Sequence, residues 1–174
     1  ALQKTHALQK THALQKTQTL APSSRAGFKQ RIDVVISCLA SRTGGVEDSW
    51  AIDYGASRNA LERLMEAGGS HYVLLSAICV QKPRLAFQFA KEKLENELAA
   101  QEAVTYTVVR PTAFFKSLGG QVDTVKQGYP FVVFGDGKLS KCNPISEGDL
   151  AGLMVDSITQ PALQNRIIPV GGPE

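Results

Sequence analysis

Glycine is almost missing from the first quarter of the sequence. Gly27 is the one glycine among residues 1–43, and it lies among polar residues with no apolar strand in front of it. A dinucleotide-binding unit begins with a strand, a G-x-G-x-x-G turn and a helix whose N-terminus receives the pyrophosphate. We therefore expect no diphosphate-binding loop from the residues in front of Asp33.

Other features that would define a class of protein are also missing. No apolar run approaches the ~20 residues that a membrane-spanning helix needs, so we expect no such span. Cys38, Cys79 and Cys142 show no C-x-x-C spacing, and they predict neither a metal site nor a disulfide framework. This usage is typical of a reducing compartment. We expect Cys38 and Cys79, at the ends of apolar strands, to be buried and inert thiols.

Acidic residues are absent from residues 1–31, which carry six basic residues, whereas the remaining residues carry 13 basic and 16 acidic ones. A mildly acidic body does not predict nucleic-acid binding. Residues 1–16 repeat the hexad ALQKTH, which gives no apolar stripe on a helix because six residues do not complete whole turns. The sequence thus predicts a basic low-complexity extension at 1–31, with the composition of a transit peptide near its end, that would suit an anionic partner.

After Ile32 the sequence alternates apolar runs with amphipathic segments. The predicted strands are 32–41, 71–80, 105–111, 131–134 and 166–170, and the predicted helices are 48–67, 85–100, 118–126 and 147–158. We expect the strand at 32–41 to be buried on both faces and the helix at 85–100 to carry a charged face with Lys91 and Glu95. Strands that alternate with helices at this spacing predict an α/β fold with a parallel sheet.

Small or polar residues follow three of the predicted strands. Ligands of open parallel sheets collect at the carboxyl ends of strands, so these residues are the candidates for a binding site: Cys38, Leu39, Ala40, Ser41, Ser76, Ala77, Arg110, Pro111 and Thr112. Tight strand-to-helix turns favour the same residue types and are the alternative explanation. Lys91 follows on the next helix, and a solvated helix lysine is its alternative explanation.

Several longer motifs resemble one family. The stretches SCLASRTGG, FQFAKEKLENEL, RPTAFFKSLGGQV, FGDGKL and IIPVGGP resemble the divinyl chlorophyllide a 8-vinyl-reductase family of atypical short-chain dehydrogenases/reductases, related to the isoflavone-reductase-like group. Many short-chain dehydrogenases carry a tyrosine proton donor four residues before the lysine, where this chain has Phe87. Phenylalanine cannot donate a proton, which excludes carbonyl reduction by that route but not reduction of a C=C bond by hydride.

The resemblance implies a cofactor, a substrate and a role for each candidate residue. NADPH would be the cofactor and a chlorophyllide-type tetrapyrrole the substrate, in the plastid. Lys91 and Ser76 would be catalytic, and no metal is implied. The implied cofactor-binding residues are Cys38, Leu39, Ala40, Ser41, Lys91, Arg110, Pro111 and Thr112. Phe114, Phe115 and Lys116 would border the flat substrate, where stacking and a cation suit its ring and carboxylate.

The resemblance also defines the expected architecture. It implies a partial Rossmann-type, doubly wound domain at 32–116 that lacks its first strands and glycine-rich loop, followed by a small α+β substrate lobe at 117–174. The apolar edge at 34–39 would need a neighbour, either a front part of the domain or a protein partner. Two functions stay open: an NADPH-dependent 8-vinyl reductase of chlorophyll biosynthesis, inactive without that front part, or a non-catalytic, reductase-derived subunit of a photosynthetic assembly.

Overall fold

Four parallel strands form the sheet in the part of the chain that the structure describes. The computed structural model describes residues 31–131, 136 and 143–172. Its strands are β1 (Val34–Ser37), β2 (His71–Leu75), β3 (Thr105–Pro111) and β4 (Arg166–Val170), ordered β1-β2-β3-β4 and all parallel. The predicted parallel α/β fold is confirmed. The basic extension at 1–31 apart from Arg31, the predicted strand at 131–134 apart from its first residue, and Cys142 lie outside the described residues.

Within the described ranges, four helices connect these strands. Helix α1 covers residues 46–66 and consists of an α-helical start (Val46–Asp48), a π-helical segment (Ser49–Ala56) and an α-helical end (Ser57–Glu66). The others are α2 (Ala86–Ala100), α3 (Phe115–Lys126) and α4 (Glu147–Thr159). Ser146 caps the start of α4, because its hydroxyl accepts a hydrogen bond of 3.0 Å from the backbone N–H of Asp149. Short 3₁₀ turns cover Ile78–Gln81 and Pro161–Leu163.

One face of the sheet packs against α1 and α2. Leu61 and Leu64 of α1 meet Tyr72 and Leu74 of β2, and the helix α2 adds Leu94 to the same cluster. All five are at most 4% exposed, and burial of each such side chain contributes about 1.5–3 kcal/mol. The three-residue spacing of the two leucines on α1 puts both on the face that meets the sheet.

The opposite face of the sheet packs against α4. Leu150 and Met154 of α4 contact a cluster formed by Val73 of β2, Val109 of β3 and Ile145. Helices therefore cover both faces, as in a doubly wound sheet. Within the predicted substrate lobe, β4 pairs with β3 and α4 packs on the sheet formed by residues 32–116. The substrate-binding role of 117–174 stays a prediction.

The strand β1 is shorter and more exposed than its sequence predicts. It ends at Ser37 because the following residues leave the sheet and turn toward α1. The side chain of Ile36 is 42% exposed, so the prediction of burial on both faces is wrong. The reason is positional: α4 packs on β2 and β3, and among the described residues β1 pairs with β2 alone.

Candidate functional site

The carboxyl ends of the strands meet at a buried lysine. Lys91 points from α2 into the protein with 6% of its side chain exposed. Its ammonium Nζ donates to the carbonyl oxygen of Leu39, after β1, at 3.1 Å and to that of Leu75, at the end of β2, at 3.3 Å. Lys91 is therefore not the solvated helix lysine of the alternative explanation, and it bridges two strand ends.

Asp53 in the π-helical segment of α1 supplies the counterion. Its side chain is 1% exposed, and its Oδ1 lies 3.1 Å from Lys91 Nζ. The distance is that of an ion pair, but the contact lacks the angles of a hydrogen bond, and Oδ1 accepts no hydrogen bond from the described residues. The other oxygen, Oδ2, accepts a bond of 3.2 Å from the backbone N–H of Ser41. One carboxylate thus joins α1, α2 and the loop after β1.

A polar stripe on α1 faces the end of β1. Ser49, Asp53 and Ser57 follow one another at intervals of four residues, and all three are at most 1% exposed. The Ser57 hydroxyl lies 3.2 Å from that of Ser37 in β1, and the Ser49 hydroxyl lies 3.5 Å from that of Ser41. The π-helical i→i+5 pattern is rare and often occurs at functional sites. Sequence analysis missed this stripe, although its spacing was the available signal.

Glu95 is the centre of a second buried network. Glu95 lies one helical turn after Lys91 on α2 and is 1% exposed. It accepts hydrogen bonds from the hydroxyl of Ser76 and from Nε and Nη2 of Arg110 on β3, whose Nε lies 3.1 Å from Oε2. The charged face predicted for this helix is therefore wrong for Lys91 and Glu95, because each has an opposite charge inside the protein. Ser76 and Arg110, two binding-site candidates from the sequence, therefore lie at the carboxyl edge of the sheet as predicted.

The end of β3 is fixed by close backbone contacts. The Thr112 hydroxyl donates to the Asn143 carbonyl at 2.5 Å, and the Thr112 backbone N–H donates to Val170 O at 2.9 Å. A Cβ on Gly172 would lie 2.2 Å from Pro144 O, so a side chain there would separate the two segments. Pro111, at the last position of β3, is buried. The candidate Thr112 is therefore held in place from two sides.

The three substrate candidates differ in their environment. Phe114 packs against the hydrophobic cluster between the sheet and α4 and forms a parallel bridge with Ile145, so its ring contributes to packing. Phe115, the first residue of α3, is 58% exposed, and Lys116 beside it is exposed. No contact among the described residues joins Phe115 or Lys116 to the networks of Lys91 and Glu95. Phe115 and Lys116 are the members of this group that a ligand can reach.

The two described cysteines are exposed. The prediction that Cys38 and Cys79 are buried is wrong, since Cys38 lies in the loop after β1 and Cys79 in the 3₁₀ turn after β2. Partial burial raises the pKa of the Cys38 thiol above its usual value, although the positive charge of Lys91 opposes the rise. A raised pKa lowers the thiolate fraction, which agrees with an unreactive thiol at the edge. Leu39 and Ala40 beside it are exposed too.

The site fits one half of a dinucleotide better than the other. Lys91, Arg110 and small residues at the strand ends suit a nicotinamide ribose. The loop Gly44-Gly45 precedes α1 and resembles a phosphate-binding turn, but its helix begins with the acids Glu47 and Asp48. The backbone N–H and the hydroxyl of Thr43 both donate to Asp48 Oδ2, at 3.0 and 2.8 Å, and these bonds lower the pKa of Asp48. This helix start does not fit a diphosphate.

The described residues contain neither a metal-binding cluster nor a membrane-spanning helix. Within 31–131, 136 and 143–172, no group of three or more His, Cys, Asp or Glu side chains could hold a metal ion. In that same part of the chain, no helix has both the length and the apolar content to cross a membrane. The chemistry available at the strand ends is therefore that of buried ion pairs, hydroxyl groups and exposed apolar side chains.

Comparison with known proteins agrees with this geometry. A family profile described as NAD(P)H-binding matches residues 4–161. A divinyl chlorophyllide a 8-vinyl-reductase, chloroplastic, from Cucumis sativus is 61% identical over 146 residues, which are 82% of this chain and 35% of that protein. The protein of the same name from Arabidopsis thaliana is 58% identical over 147 residues. The resemblance predicted from the sequence motifs is confirmed, and the chain spans about a third of the length of these relatives.

Solved structures share the fold at low sequence identity. A UDP-glucose 4-epimerase from Thermotoga maritima has a TM-score of 0.68 and 16% identity, over 82% of this chain and 56% of that one. A GDP-L-fucose synthetase from Naegleria fowleri bound to NADP has a TM-score of 0.61 and 20% identity, over 84% of this chain and 61% of that one. Both agree with a Rossmann-like sheet, and at this identity they show the fold alone.

Proposed function

This chain belongs to the NAD(P)H-binding family, and we propose that it forms the nicotinamide-facing part of an NADPH-dependent reductase. The proposed reaction is reduction of the 8-vinyl group of divinyl chlorophyllide in the chloroplast. The names of relatives at 56–61% identity support the substrate and the compartment. The chain spans about a third of those proteins, so the activity is proposed for the full-length protein.

One observation carries the proposal: the ammonium group of Lys91 lies at the carboxyl ends of β1 and β2. Ligands of parallel sheets bind at this edge, and a buried cation there needs a functional or structural reason. When bound, the cofactor supplies the hydride. Lys91 binds the ribose hydroxyls, and Ser41 with its neighbours Cys38, Leu39 and Ala40 borders the nicotinamide ribose from the side of β1.

The other strand ends have supporting roles in this proposal. Arg110, Pro111 and Thr112 border the nicotinamide from the side of β3. The Ser76 hydroxyl donates a hydrogen bond to Glu95, so Ser76 acts by fixing the end of β2 rather than by donating to the substrate. Phe115 and Lys116 meet the tetrapyrrole, since they are exposed, whereas Phe114 supports them from the core.

A titration of the full-length protein with NADPH tests the cofactor site. We expect Lys91→Ala to raise the dissociation constant for NADPH at least about tenfold, which corresponds to ~1.4 kcal/mol. Lys93→Ala is the matched control, because Lys93 lies on the same helix but its side chain is 36% exposed and pairs with Glu97. An unchanged dissociation constant in Lys91→Ala contradicts the role of Lys91.

A second assay tests the substrate. Full-length protein, NADPH and divinyl chlorophyllide are incubated, and the monovinyl product is separated by chromatography. Product formation that depends on NADPH supports the proposal, and Phe115→Ala should raise the Michaelis constant for the tetrapyrrole because the exposed ring stacks on it. A full-length protein that binds NADPH but leaves the vinyl group intact contradicts the proposed substrate.

The edge of β1, which has no second partner strand among the described residues, favours a second candidate, a non-catalytic binding subunit. Ile36 and Leu39 are each 42% exposed, and an unpaired apolar edge can accept a strand from another protein. The NADPH titration separates the two candidates. A dissociation constant below about 100 µM, or ~5.5 kcal/mol of binding free energy, favours the reductase, and no measurable binding favours the subunit.

A further inference from the structure

We propose that Asp53 is a positioning residue that holds the ammonium group of Lys91 at the carboxyl ends of β1 and β2. This inference rests on the proposed function, since the position matters for binding the nicotinamide ribose. The juxtaposition that carries it is the 3.1 Å ion pair between two side chains that are 1% and 6% exposed.

Lys91 needs a fixed charge beside it. The lysine stem has four flexible carbons, and an ammonium group buried without an opposite charge is strongly unfavourable. The carbonyl oxygens of Leu39 and Leu75 accept hydrogen bonds from Nζ, but they carry partial charges only. Asp53 is the carboxylate that lies within ion-pair distance of Nζ among the described residues, so its removal should let Nζ leave the strand ends.

Asp53 is itself held in place. Its Oδ2 accepts the backbone N–H of Ser41, in the loop after β1, at 3.2 Å. The carboxylate therefore links the loop that carries Ser41 to the ammonium group. A displacement of Asp53 would move two parts of the proposed ribose site together.

The free acceptor on Asp53 allows Lys91 to exchange partners. Oδ1 is buried, lies beside Nζ and receives no hydrogen bond from the described residues. The ammonium group has three N–H donors, and it can turn one of them from a strand carbonyl to Oδ1. Asp53 thus keeps the charge in place while another N–H points to a ribose hydroxyl.

The variant Asp53→Asn tests this role in the full-length protein. Asparagine has the same size and can still accept the Ser41 N–H, but it has no charge. We expect the rate of Lys91 acetylation by an amine-reactive reagent, followed by peptide mass spectrometry, to rise at least about tenfold relative to Lys93. We also expect the dissociation constant and the Michaelis constant for NADPH to rise about tenfold, which is ~1.4 kcal/mol, with kcat within about a factor of two.

Ser57→Ala is the matched control. It removes a hydroxyl from the same stripe of α1, where Ser57 contacts Ser37 at 3.2 Å, and it leaves Lys91 untouched. A purely structural role of Asp53 predicts that both variants lower the melting temperature while Lys91 acetylation and NADPH affinity stay at the wild-type values. That result would overturn the proposal.

Two further outcomes are distinguishable. If the wild-type protein has no affinity for NADPH, the proposed function fails, and the acetylation rates still decide whether Asp53 holds Lys91. If Asp53→Asn does not fold, Asp53→Glu keeps the charge but displaces it by one methylene. We then expect faster acetylation of Lys91 and weaker NADPH binding in Asp53→Glu, and unchanged values of both would overturn the positioning role.

Discussion

Glu95 and Arg110 form a buried, multiply hydrogen-bonded ion pair between α2 and the end of β3. Glu95 is 1% exposed and Arg110 16%. The guanidinium Nε lies 3.3 and 3.1 Å from the two carboxylate oxygens, Nη2 contacts Oε2, and the hydroxyl of Ser76 completes the set of donors. The pair therefore joins the ends of β2 and β3 to the helix that carries Lys91.

Glu95→Gln should destabilise the protein strongly. The amide keeps the size of the side chain but leaves the Arg110 guanidinium without its counterion, and breaking a buried pair from one side costs about 3–5 kcal/mol. We expect the lower end of that range because Arg110 retains some contact with water. Urea denaturation at pH 7 measures the free energy of unfolding.

Glu62→Gln is the comparison for that measurement. Glu62 pairs with Arg58 on α1, and both side chains are more than one third exposed, so its loss should be below about 1 kcal/mol. Equal and small losses in Glu95→Gln and Glu62→Gln would contradict the importance of the buried pair.

His71 should make the protein less stable in mild acid. Burial at the start of β2 lowers the pKa of His71 below its ordinary 6.5, and its Nδ1 lies 2.8 Å from the Thr105 hydroxyl. The unfolded state binds the proton more readily, so the stability present above pH 6.5 falls as the pH drops below that value. His71→Asn should remove this part of the pH dependence, measured as the urea midpoint between about pH 7 and 5. If the urea midpoint of His71→Asn changed with pH as steeply as that of wild type, the role of His71 would be contradicted.

Protonation of Glu97 should destabilise the protein at a lower pH than protonation of His71 does. Burial raises the pKa of Glu97, but hydrogen bonds from Tyr54 and Lys93 outweigh that effect, and the net pKa is below 4.5. The stabilisation is therefore fully present above pH 4.5 and is lost as the pH falls through the folded-state value. We expect wild type and Glu97→Gln to differ in urea midpoint at pH 6 and to converge in acid. Tyr54→Phe, which removes the 2.7 Å bond from the tyrosine hydroxyl, should bring the folded-state pKa of Glu97 closer to 4.5 and therefore lose less stability in acid than wild type.

Strand positions were largely predictable because they depend on local patterns. The predicted bounds of β3 and β4 coincide with the observed Thr105–Pro111 and Arg166–Val170, since both are apolar runs between polar turns. The meeting of three strand ends then follows from parallel pairing alone. The carboxyl edge of the sheet could therefore be predicted from the sequence.

The partners of the buried charges were not predictable in the same way. A charged residue on a helix is usually solvated, and the sequence predicted only that Glu95 belongs to a charged face of its helix. Its burial depends on Arg110, which comes from a strand, just as that of Lys91 depends on Asp53 from another helix. Such pairs arise from tertiary contacts between distant segments, and the four-residue spacing of Ser49, Asp53 and Ser57 does not by itself identify Lys91 as the partner of Asp53.

Gly69 should tolerate no side chain, because the chain is closely packed where α1 leads into β2. A Cβ at this position would lie 2.1 Å from the Cδ1 atom of Leu64, which is fully buried, and 2.5 Å from the backbone oxygen of Ile32. We expect Gly69→Ala to lower the free energy of unfolding by about 1–3 kcal/mol, the usual cost of overpacking. Gly119→Ala is the control, since nothing lies within 4 Å of its Cβ position inside α3, and alanine there should add about 0.5–1 kcal/mol. Urea denaturation of both variants decides the point, and changes of the same sign would contradict the close approach of Gly69 to Ile32.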